Sequence, residues 1–254
     1  ACGRCDRCHT GREHRCRDGQ GIGHGRDGGF AEYAVLTERS LIRLPEGLDS
    51  VSSALLACPI GVALQAVQVT AKVKPGETVV VTGAGGGLGS HAVQVAAALG
   101  GNVLAVTSSP EKEPALLGLG ASEVLVENGI DFADLVMALT EDKGSDVVID
   151  TVGSALYPST LSSLAQYGRL VFLGEIVGNN ISLNPVEVIF RDAAILGTSG
   201  VSRATVQQAA SMVLDGKIRP IVDLEISLEE ANHGYRLITE RKPTGRIVLR
   251  PNVR

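Results

Sequence analysis

No long uncharged apolar run occurs anywhere in this chain, and no apolar stretch opens it. Export and membrane insertion both need one, so the expectation is a protein of the reducing cytoplasm with no membrane partner. A basic excess is missing as well. Net charge is −5, with 20% charged and 44% hydrophobic residues, the balance of a globular protein with no global pull toward nucleic acid. The one gathering of base, Arg4, Arg7, Arg12, Arg15, Arg17 and Arg26, is interleaved with Asp6, Glu13, Asp18 and Asp27, which favours a solvated loop over a phosphate-binding stripe. Internal repeats and low-complexity linkers are absent, and 254 residues suit one large domain or two modest ones.

Cysteine is scarce too, and its placement is informative. Apart from Cys58, all of it falls in the opening ACGRCDRCHTGREHRC, at Cys2, Cys5, Cys8 and Cys16. The spacing C-x2-C-x2-C-x7-C is too close for an ordinary disulfide framework, and in a reducing compartment it points to metal ligation. Four thiolates suit a closed tetrahedral zinc, which braces a loop and leaves no position for substrate. Two disulfides remain an alternative, and so does an iron–sulfur cluster. The ferredoxin run, however, continues x3-C-P, whereas here seven residues intervene and Arg17 follows Cys16.

From Lys74 onward β-rich and helical runs alternate, the pattern of a parallel sheet with crossover helices. TVVV (78–81) predicts a strand, GAGGGLG (83–89) a glycine turn and SHAVQVAAALG (90–100) a helix ended by glycine. Further strands are predicted at NVLAVT, EVLV, VVID, RLVFLG and AAILG, giving six, with a helix around EKEPALLGLG. The fold class expected is α/β, a doubly wound parallel six-stranded Rossmann sheet with its ligand at the carboxyl ends of the strands. After Val201 the pattern predicts a helix, a strand near Ile221, a second helix and a last strand, GRIVLR.

A glycine turn between a buried strand and a helix lets a pyrophosphate approach backbone N–H groups and the positive helix end. Ala84, Gly86 and Gly89 take the three fingerprint positions as A-x-G-x-x-G. Enzymes that use NAD carry a carboxylate at the end of the second strand, and here that place holds Thr107, followed by Ser108 and Ser109. With no carboxylate to repel a 2′-phosphate, and Lys112 one helical turn on, NADP is expected and NAD remains possible; Glu111 and Glu113 weigh the other way.

The four-cysteine lobe, GGFAEY, LLACPIGVALQAV, VVVTGAGGGLGSHAVQVAAALG, VVIDTVG and GRIVLR together resemble the medium-chain dehydrogenase/reductase superfamily, the zinc-dependent alcohol dehydrogenases and their enoyl-reductase relatives. The resemblance runs through essentially the whole chain. It implies that residues 1–57 are a structural-zinc lobe with the end of a GroES-like catalytic domain. Residues 58–199 would then form the dinucleotide domain, and 200–254 a segment returning to the catalytic domain. It also implies that the chain is a fragment of a longer subunit, beginning in the middle of its catalytic domain. The structural zinc would lie on Cys2, Cys5, Cys8 and Cys16.

By the same resemblance Gly85, Gly86, Gly87 and Leu88 would meet the pyrophosphate, with Arg246 reaching it from the C-terminal strand. Thr107, Ser108 and Lys112 would stand at the adenosine ribose, and Val152, Leu173, Gly174 and Leu196 near the nicotinamide. Cys58 alone matches a catalytic-zinc ligand, against the alternative of a small buried hydrophobe at the domain junction. All five histidines are expected to be structural, His91 at the surface or at an interface, and Asp150 and Glu175 receive no role. The implied reaction is hydride transfer between nicotinamide C4 and an alcohol or carbonyl. Two readings compete with it: an NADPH-dependent enoyl-thioester reductase resembling acryloyl-coenzyme A reductases and needing no catalytic zinc, and a non-catalytic module that only binds cofactor and zinc. A small-molecule substrate and a homodimer or tetramer are the implied partners.

Overall fold

The computed structural model describes residues 1–127 and 131–251. Its centre is a six-stranded parallel sheet built from β1 (Thr78–Val81), β2 (Asn102–Thr107), β3 (Glu123–Val126), β4 (Ser145–Asp150), β5 (Leu164–Phe172) and β6 (Ala194–Gly197). The order across the sheet is β3-β2-β1-β4-β5-β6, so the chain reverses direction at the β1/β4 junction. Such a switch point opens a crevice at the strands' carboxyl ends.

The continuous apolar runs TVVV and DVVID are explained by cover on both faces. Val79, Val81, Val103, Ala105, Val147 and Ile149 point to one side, where they meet the helix α1 (Gly89–Ala98) and the helical turns between residues 55 and 71. Val80, Leu104, Val106, Val148 and Leu170 point to the other, against Phe132 and Val136 of α3 (Phe132–Leu139) and Tyr157 and Leu161 of α4 (Tyr157–Ser162). The short α2 (Glu113–Gly118) joins β2 to β3, and α5 (Pro185–Arg191) precedes β6.

Core contacts cross both expected domain boundaries. Leu55 and Leu56 lie in the core beside α1, as do Val206, Ala209, Ala210 and Met212 of α6 (Arg203–Leu214). The remaining chain, α7 (Ala231–Thr239) with β7 (Val222–Ser227) and β8 (Arg246–Arg250), makes a two-stranded parallel sheet. Among the described residues, no helix is long and apolar enough to cross a membrane.

Candidate functional site

The glycine turn is tied to the sheet before any ligand arrives. At the end of β1 the Thr82 hydroxyl donates to Asp150 Oδ1 at 2.7 Å, and Thr151 donates back through its N–H and its hydroxyl to Thr82. Asp150 is fully buried; Oδ1 also accepts from the N–H groups of Val152 and Gly153, while Oδ2 has no partner among the described residues. Burial pushes the Asp150 carboxyl above its ordinary range, and those hydrogen bonds oppose the shift. Gly83 sits at φ +58°, and a Cβ there would stand 2.6 Å from the Thr151 hydroxyl. Only glycine fits that left-handed position without strain.

The turn forms one wall of a cleft of about 510 Å3. Gly85, Gly86, Gly87 and Leu88 line it from the turn, and Gly245 and Arg246 line it alongside them. Gly86 pairs with Gly245 in a parallel bridge, and a Cβ on Gly87 would lie 2.5 Å from Arg246 Cδ. Arg246 Nε is buried with no partner among the described residues, and its Nη2 faces Cys58 Sγ at 3.6 Å. A guanidinium held against a glycine turn with an unused donor suits an anion. A larger hollow, about 870 Å3, lies between residues 22–35 and Tyr235. It holds neither the glycine turn nor a cysteine, so the cleft is assigned by its chemistry and not by volume.

Thr107, Ser108 and Ser109 also line the cleft, together with Glu127 and Arg241. Lys112 lines it too, but its ammonium is otherwise engaged. Nζ donates to the carbonyls of Pro243 at 2.7 Å and Arg241 at 3.0 Å, just past the end of α7, where a cation is favoured by the exposed carbonyls. Burial lowers its pKa. Lys112 thus staples the C-terminal segment to the start of α2, and the cleft lining near Ser108 and Ser109 also includes the charged residues Arg241 and Glu127.

Val152 also lines the cleft, whereas Leu173, Gly174 and Leu196 lie outside its lining and are half-buried. Leu173 and Gly174 both donate their N–H groups to the Asp150 carbonyl. Glu175 braces the loop that follows. It accepts from the Ser154 hydroxyl and from the N–H groups of Ser154, Val177 and Gly178, with the Gly178 contact foremost in holding its carboxyl down near 2. Cys58 is exposed, contrary to its reading as a buried hydrophobe. Its non-helical backbone (φ −137°, ψ 114°) turns it out of the helical turns around it.

His91 is the clear departure from expectation. It is fully buried, not at a surface: Nε2 accepts from the Ile221 N–H at 3.0 Å, and Nδ1 lies 2.9 Å from the Gly87 carbonyl. Desolvation lowers its pKa to about 4. No local signal could have revealed this, since Ile221 lies 130 residues away in sequence.

In the opening lobe the sulfur atoms of Cys2, Cys5, Cys8 and Cys16 all fall within 4.8 Å of one another. Cys5–Cys8 and Cys5–Cys16 separations are 3.5 and 3.9 Å, and Cys2–Cys8 is 4.0 Å. Zinc–sulfur bonds of about 2.3 Å in a tetrahedron set sulfur atoms about 3.8 Å apart, whereas a disulfide needs about 2.05 Å. The four thiols are free, which removes the disulfide alternative. Backbone N–H groups already point at sulfur, Cys2 N–H to Cys16 Sγ at 3.1 Å among them. The donor set fits a closed four-thiolate metal site. From this lobe Glu13 Oε1 caps the first N–H of α6 at 2.5 Å, and Arg203 donates to the carbonyls of Leu41 and Arg39.

A doubly wound sheet with a glycine turn at its switch point, an arginine packed against that turn and a four-cysteine lobe define a dinucleotide-type α/β protein joined to a metal-binding module. The zinc-binding dehydrogenase family matches residues 87–215, and the alcohol dehydrogenase GroES-like domain matches residues 1–46. Acryloyl-coenzyme A reductase of Sulfurisphaera tokodaii is 32% identical over 98% of this chain and 73% of its own. The crystal structure of AibC superposes with a TM-score of 0.92 at 38% identity, covering 99% of this chain and 71% of that one. A crystal structure of an NAD-dependent alcohol dehydrogenase gives 0.92 at 33%, covering 99% and 74%. The chain belongs to the medium-chain dehydrogenase/reductase superfamily and is an oxidoreductase of that type.

Proposed function

We propose that the cleft binds a nicotinamide dinucleotide, NADP in preference to NAD, and that the protein transfers hydride to or from the carbon of a small carbonyl or alcohol. One observation carries the reading: Arg246, with a buried Nε that meets no partner among the described residues, packs its side chain directly against Gly87 of the glycine turn. A diphosphate laid along the turn would meet main-chain N–H groups and the start of α1 together with the adjoining guanidinium. When bound, the dinucleotide supplies a hydride at nicotinamide C4. Thr107 and Ser108 hold the ribose end; Val152 borders the reacting end, with Leu173, Gly174 and Leu196 near it. The preference for NADP rests on the absence of a carboxylate at the end of β2 and on Arg241, which lines the same cleft as Ser108 and Ser109, against Glu127, which lines it too. Calorimetric titration is expected to show NADPH binding at least roughly tenfold more tightly than NADH, since a charge-assisted phosphate contact contributes about 1.5–3 kcal/mol. Equal affinities would remove the preference.

Similarity to acryloyl-coenzyme A reductases favours the enoyl-thioester reading over a zinc alcohol dehydrogenase. The Cys58 sulfur faces the Arg246 guanidinium, and a conjugated thioester can be polarised by hydrogen bonds. Both readings retain the hydride step: C–H forms at the acceptor carbon while a proton from solvent completes the product. NADPH oxidation followed separately with an aldehyde and with an acryloyl thioester distinguishes them.

We also place the protein in the cytoplasm as a homodimer. The outer edge of β6 has no partner strand among the described residues, and Ile189 and Phe190 of the neighbouring α5 are 66% and 77% exposed. An open strand edge flanked by bare apolar side chains favours pairing with a second copy. Light scattering should give a dimer that Phe190→Glu converts to monomer; a monomeric wild type would remove the proposal.

A further inference from the structure

Two side chains on α1, His91 and Gln94, reach the same short piece of main chain. Gln94 Nε2 donates to the Arg219 carbonyl at 2.9 Å, and its Oε1 accepts the Arg219 N–H at 2.8 Å. Two residues on, the Ile221 N–H donates to His91 Nε2, while His91 Nδ1 faces the Gly87 carbonyl. A backbone N–H only donates and a carbonyl only accepts. One state of the imidazole satisfies both neighbours: neutral, with its proton on Nδ1. The other tautomer sets donor against donor and lone pair against lone pair. The doubly protonated ring sets Nε2–H against the Ile221 N–H.

The linkage does not stop at Ile221. Its carbonyl accepts the Arg246 N–H at 2.9 Å, and Gly245 packs so closely on it that a Cβ there would overlap Ile221. Hydrogen bonds therefore run without a break from the Gly87 carbonyl through the imidazole to Ile221 and on to Arg246. Those two ends are adjoining parts of the cleft lining. We infer that His91 is a positioning residue for the diphosphate subsite, holding the glycine turn and the Arg246 strand in one register through its neutral Nδ1–H tautomer. The inference rests on the dinucleotide reading given above. A buried polar network satisfied at every member specifies one arrangement, which a ligand bridging two separate segments requires. Burial and, to a lesser extent, Arg246 disfavour a second proton on the ring, so the imidazole stays neutral at neutral pH.

The test divides the two hydrogen bonds. In His91→Asn the amide can still donate to Gly87 but falls short of Ile221; in His91→Gln the side-chain carbonyl can accept from Ile221 but gives up Gly87. Each is expected to weaken ADP-ribose, which carries a diphosphate, roughly 5–10-fold, about one hydrogen bond's worth, and to leave adenosine monophosphate within about twofold. In an Arg246→Gln background the loss from His91→Gln should largely vanish, because the histidine acts through the arginine. Equal losses for both ligands, or additive losses in the double variant, would overturn the positioning role. Hydrogen exchange without ligand supplies the separate arm: the Ile221 and Arg246 amides should exchange at least tenfold faster in His91→Asn. If they do so while the wild type binds no ADP-ribose, the dinucleotide reading and the diphosphate role fall and only the linkage stands. Unchanged exchange overturns the linkage itself, as does imidazole nitrogen NMR placing the proton on Nε2 at pH 7.

Discussion

Gly89→Ala is expected to lower the thermal midpoint by roughly 6–12 °C and to abolish measurable dinucleotide binding. Gly89 opens α1 directly over the glycine turn. A Cβ there would overlap the Gly83 carbonyl and lie 2.7 Å from Ala84 Cα. Both obstacles are main chain, so no rotamer relieves them. Either α1 lifts from β1, separating Ala92, Val93 and Val95 from Val79 and Val81, or the turn opens and its N–H groups lose their aim. Overpacking usually costs about 1–3 kcal/mol, and backbone against backbone belongs at the upper end. At roughly 2–4 °C per kcal/mol for a chain near this size, the shift follows. Gly118→Ala is the control. That glycine is exposed at the end of α2 with nothing within 4 Å of an added Cβ, so the same substitution there should stabilise by about 0.5–1 kcal/mol. Calorimetric melting with an ADP-ribose titration checks both. A Gly89→Ala protein that melts within a degree of wild type would mean that helix and turn are not in the close contact described.

The same two levels separate what the sequence made legible from what it hid. Local chemistry was readable: β1, the glycine turn, α1 and β2 stand within a residue or two of where periodicity set them, because buried parallel strands and an alanine-rich helix each carry their own signal. β5 was read as beginning at Arg169 but begins at Leu164. Tyr167 at φ +62° and Gly168 interrupt the alternation that marks a strand. The helices α3, α4 and α5 were not named from sequence; each has fewer than nine residues, too short for a full apolar period to repeat. Long-range chemistry was unreadable. Its place one helical turn past β2 and the family resemblance both put Lys112 at the ribose, yet what holds its ammonium is a pair of carbonyls about 130 residues further on. His91 and Gln94 look like surface positions in isolation and become linkers only because residues 219–221 return to α1. Side chains whose partners are main-chain atoms leave no trace in the partner's residue type.

Cys8→Ser is expected to remove the bound zinc, from one ion per chain to none, and to free residues 1–26 while the sheet stays folded. The lobe has no core: its two short helical turns, Asp6–His9 and Glu13–Arg15, bury no residue. Ordering backbone costs roughly 1–2 kcal/mol per residue, and a segment that buries nothing has no hydrophobic term to offset it. The exposed Asp6–Arg17 ion pair adds little. Metal ligation is the remaining term of sufficient size, about 10–16 kcal/mol for structural zinc in small peptides, and three thiolates with a hydroxyl hold zinc far less tightly than four thiolates. The consequence should travel outward from the lobe. Glu13 caps α6 and Arg203 holds residues 39–41, and α6 packs on the helical turn Leu56–Gly61, where Gly61 meets Val201. Loss of the lobe therefore loosens the segment that presents Cys58, and turnover should fall further than dinucleotide affinity, whose glycine turn lies on the sheet. Metal analysis by mass spectrometry, hydrogen exchange over residues 1–26 against 78–107, and ADP-ribose titration read the three parts separately. Unchanged zinc content in Cys8→Ser would refute the four-thiolate site; two ions per chain in the wild type would add a catalytic zinc at Cys58 and favour the alcohol dehydrogenase chemistry over the enoyl reduction.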